Sequence, residues 1–162
     1  MAIPLQIERF HATTTALSSI AGPLTTESIE FACSVRLREV GCFTPGTREF
    51  QGYPQEGPFS IVSLRIPHGE LDRAPSLILT PRASVRIYQS DLEQGTRFSR
   101  ELIEIDPRMP PEGTVSFRER RGDWTLVHEF TAQSRLLRKL IMRGEGRTGA
   151  VTQSPTVGNS SR

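Results

Sequence analysis

Apolar and polar residues alternate along two runs, 115–120 and 124–131, joined by Arg121-Gly122-Asp123. Alternation with period two sends successive side chains to opposite faces of a strand, so the stretch predicts a β-hairpin with one wet face. A two-residue loop at Gly122-Asp123 pairs Phe117 with His128 and Val115 with Phe130. A loop at Arg121-Gly122 shifts the pairing by two and keeps the faces unchanged. In either register Val115, Phe117, Trp124, Leu126 and Phe130 form one apolar face, which needs a second layer above it.

The same reading extends along the chain. Residues 3–10 set Ile3, Leu5 and Ile7 against Pro4, Gln6 and Glu8 and predict an edge strand, where the missing donor of Pro4 is tolerated. Residues 11–26 read as a connector with at most a short helix over 15–20. Residues 28–40 show the cleanest alternation: Ile29, Phe31, Cys33, Val35 and Leu37 against Glu30, Ser34, Arg36 and Arg38, as on an antiparallel strand with one solvated face. Segments 59–66, 77–80, 83–88 and 97–105 predict further strands, with Val85 and Ile87 inward. The predicted core comprises Ile29, Phe31, Cys33, Val35, Leu37, Val85, Ile87, Phe117, Trp124, Leu126 and Phe130.

Two stretches break the pattern. Residues 41–58 are rich in Pro and Gly and read as a long loop, in which Phe43, Arg48, Phe50 and Tyr53 are candidate ligand contacts or anchors to the body. Over 134–143 the period changes: Leu136, Leu137, Leu140 and Ile141 recur at helical spacing, and Arg135, Arg138, Lys139 and Arg143 take the other face. Ser134 is a fitting N-cap, and Gly144 and Gly146 end the predicted helix. Residues 147–162 are small and polar and read as a disordered tail.

The chain of 162 residues suits one domain, expected to span 1–146. Its net charge of +2 is small, yet unevenly placed: 14 Arg against 17 carboxylates over 1–133, then five Arg and Lys139 against Glu145 alone. Nineteen of the 20 basic residues are Arg and there is one Asn, a bias that points to codon usage more than to selection for guanidinium. Cys33 and Cys42 lack the spacing of a disulfide framework or a zinc site. The N-terminus lacks a signal-peptide pattern, and no run of about 18 apolar residues occurs, so an intracellular, cytoplasmic protein is expected.

Catalytic signatures are absent. Neither a P-loop nor GxGxxG nor GxSxG nor HExxH occurs. His11, His68 and His128 are scattered; His128 falls on the apolar face of the hairpin and reads as a core or rim residue, and His68 shares a turn with Glu70 and Asp72. Glu101, Glu104 and Asp106 lie among Arg97, Arg100 and Arg108, as in a solvated ion-pair face. Arg121-Gly122-Asp123 matches the integrin tripeptide but is already explained by the turn, and Met109-Pro110-Pro111-Glu112 lacks the aromatic residue of a recruitment motif.

These patterns predict an all-β protein: a single antiparallel β-sandwich or flattened barrel of seven or eight strands with a short C-terminal amphipathic helix. In outline, a compact β-domain with a basic terminal segment, the chain resembles small viral coat, matrix and movement proteins, and no family motif matches residue by residue. The expected function is non-enzymatic, structural or interactive. Arg135, Arg138, Lys139 and Arg143 would contact a nucleic acid, an anionic membrane surface or a protein partner, self-association included. No metal or small-molecule cofactor is implied. The alternative is a small-molecule-binding β-barrel with the 41–58 loop at its cavity mouth; an enzyme ranks last.

Overall fold

The computed structural model describes residues 4–41, 44–68, 74–93, 101–108, 112–144 and 149–150, with the backbone alone at 101, 103, 104, 149 and 150. In chain order the elements are α1 (Leu5–Ser18), β1 (Leu24–Thr25), α2 (Thr26–Cys33), β2 (Arg38–Val40), β3 (Thr47–Gly52), β4 (Phe59–Pro67), β5 (Ser76–Pro81), α3 (Gln89–Glu93), β6 (Glu101–Asp106), β7 (Thr114–Arg121), β8 (Trp124–Thr131), β9 (Leu137–Gly144) and β10 (Gly149–Ala150).

The fold is mostly antiparallel β-sheet. Eight strands form one sheet in the order β2-β3-β4-β5-β9-β8-β7-β6, every pairing antiparallel. Its end strands do not pair with each other, so it is a sandwich-like or flattened-barrel sheet left open. The β7–β8 hairpin pairs Val115 with Phe130, Phe117 with His128 and Arg121 with Trp124, the register set by a two-residue loop at Gly122-Asp123. Gly122 adopts φ +59°, which a side-chain-bearing residue resists.

The N-terminal third departs from expectation. The predicted edge strand gives way to α1 from Leu5 onward, and of the strand predicted over 28–40 only Arg38–Val40 is one: α2 occupies residues 28–33. In α1 the buried residues are Ile7, Phe10, Thr14 and Leu17, spaced three, four and three apart, a helical stripe that outlasts the five-residue alternation at its start. In α2, Thr25 and Ser28 form a capping box: the Ser28 amide donates to Thr25 Oγ1 at 3.1 Å and the Thr25 amide to Ser28 Oγ at 3.1 Å. Ser34 ends the helix in the left-handed region at φ +50°. On a helix, residues two apart face opposite ways, so Ile29 is fully buried while Phe31 is 90% exposed, against its predicted place in the core.

The C-terminal helix predicted over 134–143 is instead a turn and strand β9. Lys139 pairs with Glu129, and the next partners are Leu137 and Phe130, so Arg138 is an extra residue in a β-bulge. The bulge brings Leu137 and Leu140, three apart, onto one buried face with Met142, and so imitates helical spacing. Ser134 is no N-cap; it lies in the β8–β9 turn, where Arg135 takes φ +56°. Residues 83–88 are no strand beyond a bridge from Tyr88 to Leu136, although Ile87 is buried and Val85 packs against the core. The 41–58 stretch is not all loop, since it holds β3. Gly52 ends that strand where an added Cβ would meet Arg36 O at 2.6 Å. From the tail, β10 pairs in parallel with β1; the remainder of 147–162 lies outside the described residues.

One face of the sheet packs against α1 and α2. It carries Phe50, Val62, Leu64, Ile66, Leu77, Leu79, Leu140, Met142, Trp124, Leu126 and Phe130, all buried, and Phe10 of α1 meets Phe59 at 5.6 Å between ring centroids. Glu119 is an exception on this face. Its Oε1 accepts from Arg121 Nη2 at 3.0 Å, while its buried Oε2 and His11 Nε2 have no hydrogen-bond partner among the described residues.

Candidate functional site

Residues directly opposed on neighbouring strands share a face of the sheet, so the register defines rows across it. One row on the face away from the helices runs Val40, Glu49, Arg65, Ser76, Arg143, Thr125 and Arg120. Arg65, Arg143 and Arg120 therefore stand on every second strand. Strands lie about 4.8 Å apart, so these arginines repeat roughly every 10 Å across the sheet. The adjacent row runs Arg38, Gln51, Ser63, Ile78, Ile141, Val127 and Arg118. Its centre is aliphatic; Arg38 stands at one end, and at the other Arg118 is followed on the edge strand β6 by position 101, a glutamate. In the next row Lys139 faces Glu129.

Among the side chains described, six cations (Arg38, Arg65, Arg118, Arg120, Lys139, Arg143) share this face with three carboxylates, Glu49, Asp106 and Glu129, and the backbone register of β6 adds positions 101 and 104, with 101 opposite Arg118. Glu49 is buried and fully engaged, accepting from Ser63 Oγ at 2.7 Å, Gln51 Nε2 at 2.8 Å and Arg65 Nε at 3.2 Å. Burial pushes its pKa up, but these donors outweigh burial and hold the carboxyl below the usual range, so it stays charged and anchors Arg65. Arg120 and Arg143 are exposed.

The four cations predicted to line a helix thus separate. Lys139 and Arg143 reach the basic face. Arg138 sits in the bulge, and Arg135 lies in the turn with its Nη1 3.4 Å from Gln89 Oε1. The sequence reading missed Arg65, Arg118 and Arg120 as partners of Arg143. Their polar phase on alternating strands was visible, but the pairing that gathers them across five strands depends on long-range register.

Of the predicted loop contacts, Tyr53 lines a surface pocket with Arg36, Arg38, Gln51 and Gln55, and residues 54 and 56–58 of the same stretch line a cleft beside α1 and α2. Phe50 is a core residue of β3; Arg48 donates to Glu39 from Nε at 2.8 Å and Nη2 at 2.6 Å and lies 5.2 Å from the Phe50 ring. Tyr53 is 67% exposed, and Phe43 lies outside the described residues. No family model matches the chain, nor does any curated protein or solved structure. Geometry alone carries the functional reading.

This cleft, of about 300 Å³, lies on the helix side of the sheet and is bounded by Arg9, Ala12 and Thr13 of α1, by Ala32, Cys33 and Ser34 at the end of α2, and by Pro54, Glu56, Gly57, Pro58, Phe59 and Val62. Arg82 fixes its rim: its guanidinium donates to the carbonyls of Pro54 at 2.7 Å, Phe59 at 3.1 Å and Gly57 at 3.3 Å. Burial pushes the Cys33 thiol up to about 12, so it is protonated near neutral pH and a poor nucleophile. Among the described residues no group of three or more His, Cys, Asp and Glu is gathered to hold a metal, and no helix is long and apolar enough to cross a membrane. Of the turn expected to hold His68, Glu70 and Asp72 lie outside the described residues.

Proposed function

We propose that this is a non-enzymatic interaction protein whose basic sheet face engages arrayed phosphate groups, as presented by an RNA backbone or an anionic lipid surface. The observation that carries this reading is the row Arg65–Arg143–Arg120, three arginine positions on every second strand, Arg65 held by Glu49 and the other two exposed, with Arg118 in the adjacent row and Lys139 in the one beyond. Guanidinium binds phosphate in bidentate geometry, and side chains set on strands keep their spacing. The face holds no aromatic side chain in these rows, so it lacks a platform for stacking bases, and contact to phosphates without sequence preference follows. The half-buried Ile78 and Ile141 at its centre give the face a small apolar surface that a lipid interface can meet.

The test is a salt titration with two probes: a fluorescent single-stranded RNA and vesicles containing phosphatidylserine. Binding by the wild type should fall steeply with salt. The triple variant R120Q/K139Q/R143Q should lose a log–log slope of about 2 against RNA, three phosphate contacts at roughly 0.7 each. Saturation by RNA alone, or by vesicles alone, identifies the source of the phosphates. Equal binding by wild type and variant at low salt would overturn the proposal.

A further inference from the structure

The cleft between α1, α2 and the Arg82-clamped rim is separate from the basic face, because it opens on the other side of the sheet. Its volume of about 300 Å³ lies at the small end of the range for small-molecule sites. Its floor is apolar: Phe59 and Val62 are buried, with Ala12 and Ala32 beside them. Two of its lining residues carry opposite charges, Arg9 and Glu56. Both are exposed, and among the described residues neither forms an ion pair or a hydrogen bond. Thr13 and Ser34 add hydroxyl groups to the lining.

We propose that this cleft binds a small zwitterion of the amino-acid type, its carboxylate toward Arg9, its ammonium toward Glu56 and its apolar side group on the Phe59–Val62 floor. A ligand with one charge pairs with only one of the two side chains and leaves the other to water, and a ligand without an apolar group leaves the floor wet. The dipolar molecule with an apolar side group satisfies all three features. The rim needs little ordering on binding, because Arg82 already ties the carbonyls of Pro54, Gly57 and Phe59 together. Cys33, held as the thiol, contributes a wall and no covalent step.

The experiment is an NMR titration of the full chain carrying C42S, with L-phenylalanine as probe and phenethylamine, 3-phenylpropionate and glycine as comparisons. The amides of Ala12, Thr13, Ser34 and Gly57 should shift saturably with phenylalanine. Phenylalanine should bind more tightly than each comparison by at least about fivefold. R9Q should reduce its affinity to that of the amine, and E56Q to that of the acid; both residues are exposed, so the fold survives either change. In parallel, alkylation of Cys33 by iodoacetamide should slow as the cleft fills. The proposal is overturned if no saturable shift occurs at millimolar phenylalanine, if the one-charge compounds bind equally well, or if both variants bind as the wild type does.

Discussion

Glu112 closes the β8–β9 turn through Ser134. One carboxylate oxygen, Oε1, accepts from the Ser134 amide at 2.9 Å, from Ser134 Oγ at 2.7 Å and from the Gln133 amide at 3.2 Å. Ser134 Oγ also lies 2.7 Å from Thr131 Oγ1, which accepts from the Leu136 amide at 2.9 Å. The carboxylate thereby organises the backbone that leads into β9, the strand carrying Lys139 and Arg143.

The hydrogen bonds from Ser134 hold the Glu112 carboxyl at about 2. An unfolded chain titrates this group near about 4.3. The folded value is the lower, so the contribution is complete above the unfolded value and is lost as pH falls through the folded one. E112Q should lower the melting temperature at neutral pH and shrink the acid-side loss. If wild type and E112Q lose stability in parallel over about pH 2 to 5, this turn carries no such charge.

His11 on α1 should titrate below its ordinary value. Burial lowers it, the charge of Arg121 lowers it further, and Glu119 opposes both. The depressed folded value means that stability from this group is present above the unfolded value of about 6.5 and is lost as pH falls through the folded value. Because Glu119 supports the charged form, E119Q should move the His11 midpoint lower still. An NMR titration of the His11 ring checks this; a midpoint above the ordinary value would place the ring outside the core.

Ile29 and Phe31, two residues apart, should respond oppositely to truncation. I29A removes a fully buried side chain and should cost about 2–5 kcal/mol. F31A alters a 90% exposed one and should change stability by no more than about 0.5 kcal/mol. Chemical denaturation of the two variants decides between helix α2 and a strand, since a strand would give large losses for both.

Arg82 should matter to the cleft rim beyond its charge. R82A leaves the carbonyls of Pro54, Gly57 and Phe59 without this donor and should cost about 1–3 kcal/mol. Hydrogen exchange should quicken over residues 54–59 in the variant. Unchanged exchange there would show that the proline-rich segment holds its shape by itself.

The legible parts of the sequence were those where local pattern and tertiary role agree. The β7–β8 hairpin is one: Gly122-Asp123 set the register, and the alternation set the face. Strands β4 and β5 followed from the same rule. The alternation at 28–40 misled because Ile29, Cys33 and Leu37 fit a helical spacing as well as a strand. The Thr25–Ser28 capping box was the local signal that separates the two. At β9 the bulge at Arg138 turned a strand into an imitation of a helix, and nothing in the local sequence marks a bulge. The basic face lay beyond local reading because Arg65, Arg143 and Arg120 meet only through strand order.

The most direct measurement follows the arginine side chains themselves. Resolved Nε–Hε resonances can be tracked while single-stranded RNA or anionic lipid is added. Arg120 and Arg143 should shift first and furthest, with Arg118 behind them. Arg82, bound to three carbonyls, and Arg48, bound to Glu39, should stay in place. Shifts confined to other arginines, or none at saturating probe, would contradict a phosphate-binding sheet face.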